Sequence, residues 1–236
     1  MNRTFQPILL ATGNPKKIRE IRAILEPIGI DIQSLDELGT HLVEPEETGD
    51  TFEANARLKA VGYAEQTGRV CLADDSGLEV DALQGRPGIM SARYSQSNFE
   101  TDTLDRSERD ARNNAKLMRE LETVPMHQRS ARFVCAMCLV AANSDAARDA
   151  GLGIMKPSQD PIMLATSRGT FEGAIGLPGD VPRGNFGFGY DPLFLVGPQF
   201  TQTSAELAPE VKNSLSHRGL AAREIAKKLR VLRSLR

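Results

Sequence analysis

The sequence predicts an α/β fold around a long mixed β-sheet. Three observations carry that expectation. The chain opens on a strand–helix–strand pattern. A long apolar, strand-like run stands at residues 131–142, and a further strand-like region at 162–175. Helices with apolar residues three and four apart lie between and after them. With 236 residues, 40% apolar and 25% charged, the chain has an ordinary globular composition, enough for one large domain or two small ones. There is no internal repeat and no low-complexity segment.

The elements follow in order. Residues 7–12, PILLAT, read as a short buried strand. Ile18, Ile21, Leu25 and Ile28 give the stripe of the first helix, which Gly29 closes. Residues 30–35 are a second short strand. Asp50 with Glu53 resembles a capping box opening a helix whose buried face is Phe52, Ala56, Ala60, Tyr63 and Ala64, stopped by Gly68. Residues 70–80, VCLADDSGLEV, begin as a core strand and are interrupted by Asp74 and Asp75. Residues 103–122 read as an amphipathic helix with Leu104, Ala111, Ala115, Met118 and Leu121 on one side. Residues 131–142 form a long central strand, and 143–161 a polar surface excursion. Residues 162–175 are a further strand. A glycine-rich loop then leads into LFLV, and the last helix carries Leu220, Ile225, Leu229 and Leu232.

Charge and cysteine content narrow the function classes. A formal net charge of −2 provides no global basic field, so neither nucleic acid nor a membrane is the expected partner. Cys135 and Cys138 have CxxC spacing, but the flanks RFV and LVAA are those of a buried strand. With Cys71 they read as small core residues rather than a zinc or redox pair. The first residues lack a signal-peptide core, and no apolar run approaches the ~18 residues of a membrane span. The expected compartment is the cytoplasm.

Two helix starts carry charge of the wrong sign. Asn14 suits an N-cap and Pro15 the first helical position, which places Lys16 and Lys17 in the first turn. Cations there oppose the helix dipole, at a cost of about 0.3–1 kcal/mol each. A bound anion offsets that cost; lysines merely solvated behind a cap are the plainer reading. The Walker-type phosphate loop is absent. Ser216 before His217 and Arg218 repeats the anomaly, with Lys212 one loop earlier. Glu46, Glu47, Asp74 and Asp75 supply acids. Beside phosphate-binding cations, such acids suit a Mg²⁺–nucleotide complex, in which carboxylates orient and deprotonate a water. In GNFGFGYDPLF, glycines allow close backbone approach, Phe188 or Tyr190 could stack on a base, and Asp191 could accept from base N–H groups. From the residues alone, Asp74 and Asp75 are equivalent.

Five segments together resemble the family of inosine/xanthosine triphosphate pyrophosphatases. They are LATGNPKKIREI, EETGDTFEANARLKA, LADDSGLEVDALQGRPGIMSARYS, FGFGYDPLF and SAELAPEVKNSLSHRGLAAREI, in the family's order. The resemblance implies an elongated two-lobed fold around a mixed sheet, with the nucleotide in the cleft between lobes, and a homodimer. It implies Mg²⁺-dependent hydrolysis of ITP, dITP and XTP between the α and β phosphates. Thr12, Gly13, Asn14, Pro15, Lys16 and Lys17 would cradle the triphosphate. Asp75 matches the proton acceptor and metal-site carboxylate, and Glu46, in preference to Glu47, the second metal-site acid. Ser76 matches a substrate contact. Phe188, Gly189, Tyr190 and Asp191 match the base loop, with Phe188 stacking. Lys212, His217 and Arg218 match the remaining contacts, the last two near the purine 6-oxo edge. Donors at that edge suit hypoxanthine and xanthine and leave adenine mispaired.

The chain departs from the family pattern twice. The 143–161 excursion is longer than the usual connection, and Asn185-Phe186 stand where a Gly-Gly pair commonly precedes the phenylalanine. Two other readings compete: a pyrophosphatase for modified pyrimidine nucleotides, and a nucleotide-binding regulator without turnover. An aspartyl-phosphate phosphatase is excluded, because DDSG is not the DxD arrangement that chemistry needs.

Overall fold

The computed structural model describes residues 5–96, 105–154 and 156–235. Its elements are β1 (Ile8–Leu10), α1 (Pro15–Leu25), β2 (Ile32–Ser34), α2 (Phe52–Thr67), β3 (Val70–Val80), α3 (Arg106–Glu120), β4 (Ser130–Ala141), α4 (Ser144–Asp149), β5 (Ile162–Ile175), β6 (Phe194–Val196), α5 (Pro209–Leu215) and α6 (His217–Ser234). The strands form one mixed sheet in the order β2-β1-β3-β4-β5-β6. β1 runs parallel to β2 and β3, and β5 runs antiparallel to β6. The expected α/β architecture is therefore present.

The residues group into two compact units. The first comprises Met1–Asp75, Cys135–Gly169 and His217–Arg236; the second comprises Ser76–Val134 and Thr170–Ser216. The division falls inside β3, β4 and β5.

In the first unit, α1 begins as cap chemistry dictates. Asn14 accepts from the Lys16 amide, Pro15 is the first helical residue, and Ile18, Ile21 and Leu25 are buried. Gly29, at φ 76°, ends the turn that follows. α2 starts one residue later than Asp50 with Glu53 implies. Thr51 is the cap, accepting from the Ala54 amide at 3.1 Å, and Glu53 engages Arg168 at 2.6 Å instead of closing a capping box. The expected stripe of α6 holds at Ile225 and Leu229 but not at Leu220. Leu220 is exposed, and the buried face is built from Ala221, Ala222, Ile225, Ala226 and Leu229. Small residues fit there because β5 comes close: a Cβ on Gly169 would lie 2.2 Å from the His217 carbonyl oxygen. Residues 143–161 are not simply a surface excursion. Asn143 caps α4, and Ala147, Ala150 and Leu152 are buried, because the segment lays an apolar side on its unit. All three cysteines are free and buried. Burial pushes the Cys71 and Cys138 thiols up to about 11 and the Cys135 thiol higher still.

β3 corrects the most specific expectation. It is unbroken from Val70 to Val80, with Asp74 and Asp75 both buried inside it rather than in a turn.

The second unit has its own core, including Leu78, Val80, Leu117, Leu121, Phe133, Phe171 and Phe194. The ring of Phe194 lies 4.6 Å from that of Phe133 and 5.5 Å from that of Phe171. α3 is opened by Asp105, which forms a capping box with Glu108. Of its expected stripe, Leu121 is buried and Met118 packs against the core, whereas Ala111 and Ala115 are exposed and Leu104 lies outside the described residues; the buried side runs through Asn113, Leu117 and Leu121. The pattern shifted because Asn113 turns a polar side chain inward. Its amide nitrogen donates to the Ser91 and Ala92 carbonyls, and its oxygen accepts from the Ser95 amide.

Arg129 is fully buried without a carboxylate partner among the described residues. It donates to the Val124 and Gly176 carbonyls, each at 2.8 Å, and to the Leu121 carbonyl. It thereby ties the end of α3 to the end of β5. Arg129→Ala strands those carbonyls, and each buried unsatisfied group costs about 1–3 kcal/mol. Urea unfolding of the variant is expected to show a loss of roughly 3 kcal/mol or more, with Arg129→Lys intermediate; an unchanged midpoint would contradict this role.

Candidate active site

The acids and cations of the first unit converge on β3. The side chain of Asp74 is fully shielded from solvent. Lys17 Nζ stands 2.9 Å from its Oδ2, and Arg218 Nε 3.3 Å from the same oxygen. Burial opposes ionisation of Asp74, but Lys17, Arg218 and Lys59 more than offset it, so its carboxyl is held well below the usual range. Arg218 is also bound through Nη1 to Glu20 at 2.5 Å. Its guanidinium, 2% exposed, is held further above its ordinary value by Asp74 and Glu20 despite burial. The result is a buried four-residue network joining α1, β3 and α6.

Asp75 faces a different environment. Asn55 Nδ2 donates to its Oδ2 at 3.2 Å. Burial raises its carboxyl above the usual range, Glu47 raises it further, and Lys59 and Lys17 act in the opposite sense. Lys59, itself buried, bonds Glu47 at 3.1 Å. Burial disfavours the Lys59 ammonium, but Asp74, Asp75 and Glu47 together push it upward. The two neighbouring aspartates are thus shifted in opposite directions, Asp74 downward and Asp75 upward.

The phosphate-side expectations fall on one short turn. Thr12 Oγ1 accepts from the Asn14 amide at 3.2 Å, and Asn14 Oδ1 accepts from the Lys16 amide at 3.1 Å. Gly13 is exposed, as is Pro15, and Lys16 is half-buried. Lys17, by contrast, reaches inward to Asp74. Ser76 is half-buried on β3, immediately after Asp75. His217 is buried at the start of α6.

Glu46 is exposed, whereas Glu47 is half-buried and acts on Asp75. The structure therefore brings Glu47 to the group around Asp75, bonded to Lys59, while Glu46 is exposed. Arg218 is buried and engaged by Glu20 and Asp74, which fixes its guanidinium at the start of α6.

The glycine-rich loop belongs to the second unit. Asp191 is buried, and both its oxygens are engaged. Oδ1 accepts from Ser204 Oγ at 2.9 Å; Oδ2 accepts from the Phe188 amide at 2.7 Å and from Lys212 Nζ at 2.5 Å. Asp191 and Lys212 therefore organise the loop. A Cβ on Gly187 would fall 2.2 Å from Asp191 Oδ2, at a backbone φ of +82°, so only glycine fits. Tyr190 is buried with its hydroxyl donating to the Ser91 carbonyl, which leaves half-buried Phe188 as the ring able to stack. Gly189 is half-buried at φ 62°.

Lys59, Asn55 and Glu20 were not singled out from the sequence. A signal for the first two existed: polar residues four apart, interleaved with the buried alanines of α2. Gly49 supports Asn55 by close approach, since a Cβ there would lie 2.8 Å from Asn55 Oδ1.

Among the described residues no group of three or more His, Cys, Asp or Glu side chains is close enough to form a metal cage. The oxygen donors of Asp75 and Glu47, mutually repelling, still fit a hard cation that completes its shell with water and phosphate.

The Ham1 family model matches residues 8–228. A dITP/XTP pyrophosphatase of Nitratidesulfovibrio vulgaris is 46% identical over 222 residues, 94% of this chain and 95% of that protein. A dITP/XTP pyrophosphatase of Bacillus subtilis is 39% identical over 221 residues, 94% of this chain and 96% of that protein. Among solved structures, a HAM1 protein from Coxiella burnetii aligns with a TM-score of 0.72 at 36% identity, covering 95% of this chain and 98% of that one. A nucleoside-triphosphatase, dITP/XTP pyrophosphatase, from Mycobacterium abscessus aligns with a TM-score of 0.64 at 37% identity, covering 97% and 100%. With a family model matching residues 8–228 and relatives covered over nearly their whole length, this chain belongs to the Ham1 family.

Proposed function

We propose that the protein is a nucleoside triphosphate pyrophosphatase that hydrolyses noncanonical purine substrates, dITP, XTP and ITP, to the monophosphate and pyrophosphate. That activity would clear such nucleotides from the pool before their incorporation into DNA and RNA. The carrying observation is the buried Asp75, bonded by Asn55 and influenced by Lys17 and Lys59, in a chain whose relatives are named dITP/XTP pyrophosphatases. In this reading Lys17 and Lys59 balance phosphate charge, as does the turn from Thr12 to Lys16 that presents the N-terminus of α1. Asp75 accepts the proton of the water whose oxygen bonds to phosphorus at the α–β anhydride. The bridging P–O bond breaks and pyrophosphate leaves. Asn55 fixes the orientation of Asp75.

Asp75 and Glu47 are assigned as the carboxylates that hold Mg²⁺, Glu47 taking the place first read for Glu46. When bound, the ion would neutralise phosphate charge and make water more acidic. Ser76 is assigned as a substrate contact. Phe188 is assigned to stack on the base. Tyr190, Asp191 and Lys212 shape the loop that carries Phe188. His217 and Arg218 remain assigned as the donors that favour a 6-oxo purine. We infer a homodimer and a cytoplasmic location as well; among the described residues no helix is long and apolar enough to cross a membrane.

Incubation with Mg²⁺ and ITP, XTP, dITP, ATP or GTP, with product analysis, tests the reaction. Pyrophosphate and monophosphate are expected from the first three. Release of orthophosphate alone would overturn the cleavage site, and ATP turnover equal to ITP would overturn the base selection.

The two neighbouring aspartates should separate in mutagenesis. Asp75→Asn is expected to abolish turnover while leaving the thermal midpoint nearly unchanged; wild-type rates would remove Asp75 from the reaction. Asp74→Asn is expected to destabilise the fold by about 3–5 kcal/mol, because Lys17 and Arg218 lose their buried counter-ion. The pH dependence gives a further check. The folded carboxyl of Asp74 lies below its unfolded value of ~3.9, so its stabilisation is present above that value and is lost as pH falls through the lower folded one. Acid unfolding of Asp74→Asn should lack that component, and an unaltered acid limb would contradict it.

A further inference from the structure

α3 is a polar helix whose residues Arg106, Asp110 and Asn114 recur every fourth position and so share one side. All three meet the glycine-rich loop. Asp110 Oδ2 accepts from the Gly189 amide at 2.9 Å, and Asn114 Nδ2 donates to the Gly189 carbonyl at 3.1 Å. The two main-chain polar groups of Gly189 are thus held by side chains one helical turn apart. One turn further back, the Arg106 guanidinium carbon lies 5.0 Å from the centre of the Phe188 ring, within cation–π range. From the other direction Asp191 accepts from the Phe188 amide. The peptide after Phe188 needs such a clamp. Gly189 adopts φ +62°, a conformation that most residues rarely take, and its amide and carbonyl are both bonded by α3 side chains.

We propose that Arg106, Asp110 and Asn114 form a positioning strip that sets the Phe188–Gly189 segment, and thereby the affinity for the base of the substrate. This rests on the assignment of Phe188 as the stacking residue. The strip acts through the loop and touches neither the phosphates nor the water. Its loss therefore weakens recognition of base-bearing substrates and leaves the chemical step intact. Asp110 and Asn114 hold the main chain, and Arg106 holds the ring.

The test uses steady-state kinetics with dITP, alongside inhibition by inorganic tripolyphosphate, which carries no base. The proteins are the wild type, Phe188→Ala, Arg106→Ala, Asp110→Ala, Asp110→Asn, and the double variant Asp110→Ala/Asn114→Ala. The double variant is expected to raise KM for dITP about 10-fold, in line with two lost hydrogen bonds. Its kcat should stay within about twofold, with the tripolyphosphate inhibition constant and thermal midpoint unchanged. Asp110→Asn, which keeps an acceptor, should recover most of the loss seen in Asp110→Ala, and Arg106→Ala should raise KM alone. A raised KM in Phe188→Ala beside a wild-type KM in the double variant overturns the positioning role only. An unchanged KM in Phe188→Ala overturns the stacking assignment and the strip's role with it. A parallel rise in KM and the tripolyphosphate constant with a lowered midpoint marks a general structural defect and also overturns the proposal.

Discussion

An ionised carboxylate shielded from water must be enclosed by cations and donors, and Asp74 is the point where this chain meets that requirement. Lys17 comes from the first turn of α1 and Arg218 from the first turn of α6, so one anion fixes the N-termini of two helices against β3. Glu20 shares Arg218, which keeps the network from carrying excess positive charge. The same anion lets Lys17 sit in a helical turn that ordinarily disfavours cations. Asp75, next in the chain, can then take a shifted carboxyl without having to hold the fold together. The second unit repeats the device on a smaller scale: Asp191 gathers Lys212, Ser204 and the Phe188 amide, and a flexible glycine-rich loop acquires a defined shape.

Local chemistry was legible in the sequence and distant pairing was not. The Asn14–Pro15 start and the Gly29 and Gly68 stops were readable because each depends on a few consecutive residues. So were the strands at 131–142, from a long apolar run, and at 162–175, from strand-like alternation. The run at 70–80 was misread as interrupted. Its two aspartates violate strand patterning unless their partners are known, and Arg218 lies 144 positions away. The stripes of α1 and α2 hold, and those of α3 and α6 hold only in part, for a related reason. Asn113 is buried because a neighbouring loop offers carbonyls to it, and α6 buries alanines because Gly169 brings β5 close. Periodicity counts apolar residues and does not register either effect.

The choice among the site acids has the same origin. Glu46 and Glu47 are indistinguishable as residue types, and only the course of the segment before α2 decides which turns toward Lys59. Asn55 and Lys59 were hidden inside a pattern of alanines that reads as simple helix packing. In a small-residue face, an isolated amide or ammonium is better read as aimed at something than as tolerated by the core.

The burial of the three thiols bears on how the protein behaves in the laboratory. Thiolate is the reactive species, and at pH 7 a thiol held near 11 is ionised in only about one molecule in ten thousand. The folded chain should therefore be nearly inert toward alkylating reagents and mild oxidants, while the unfolded chain exposes three ordinary cysteines. Cys71 lies on β3, and Cys135 and Cys138 on β4, within the first unit, so their labelling rate is a native clock for opening of the strands that carry Asp74 and Asp75.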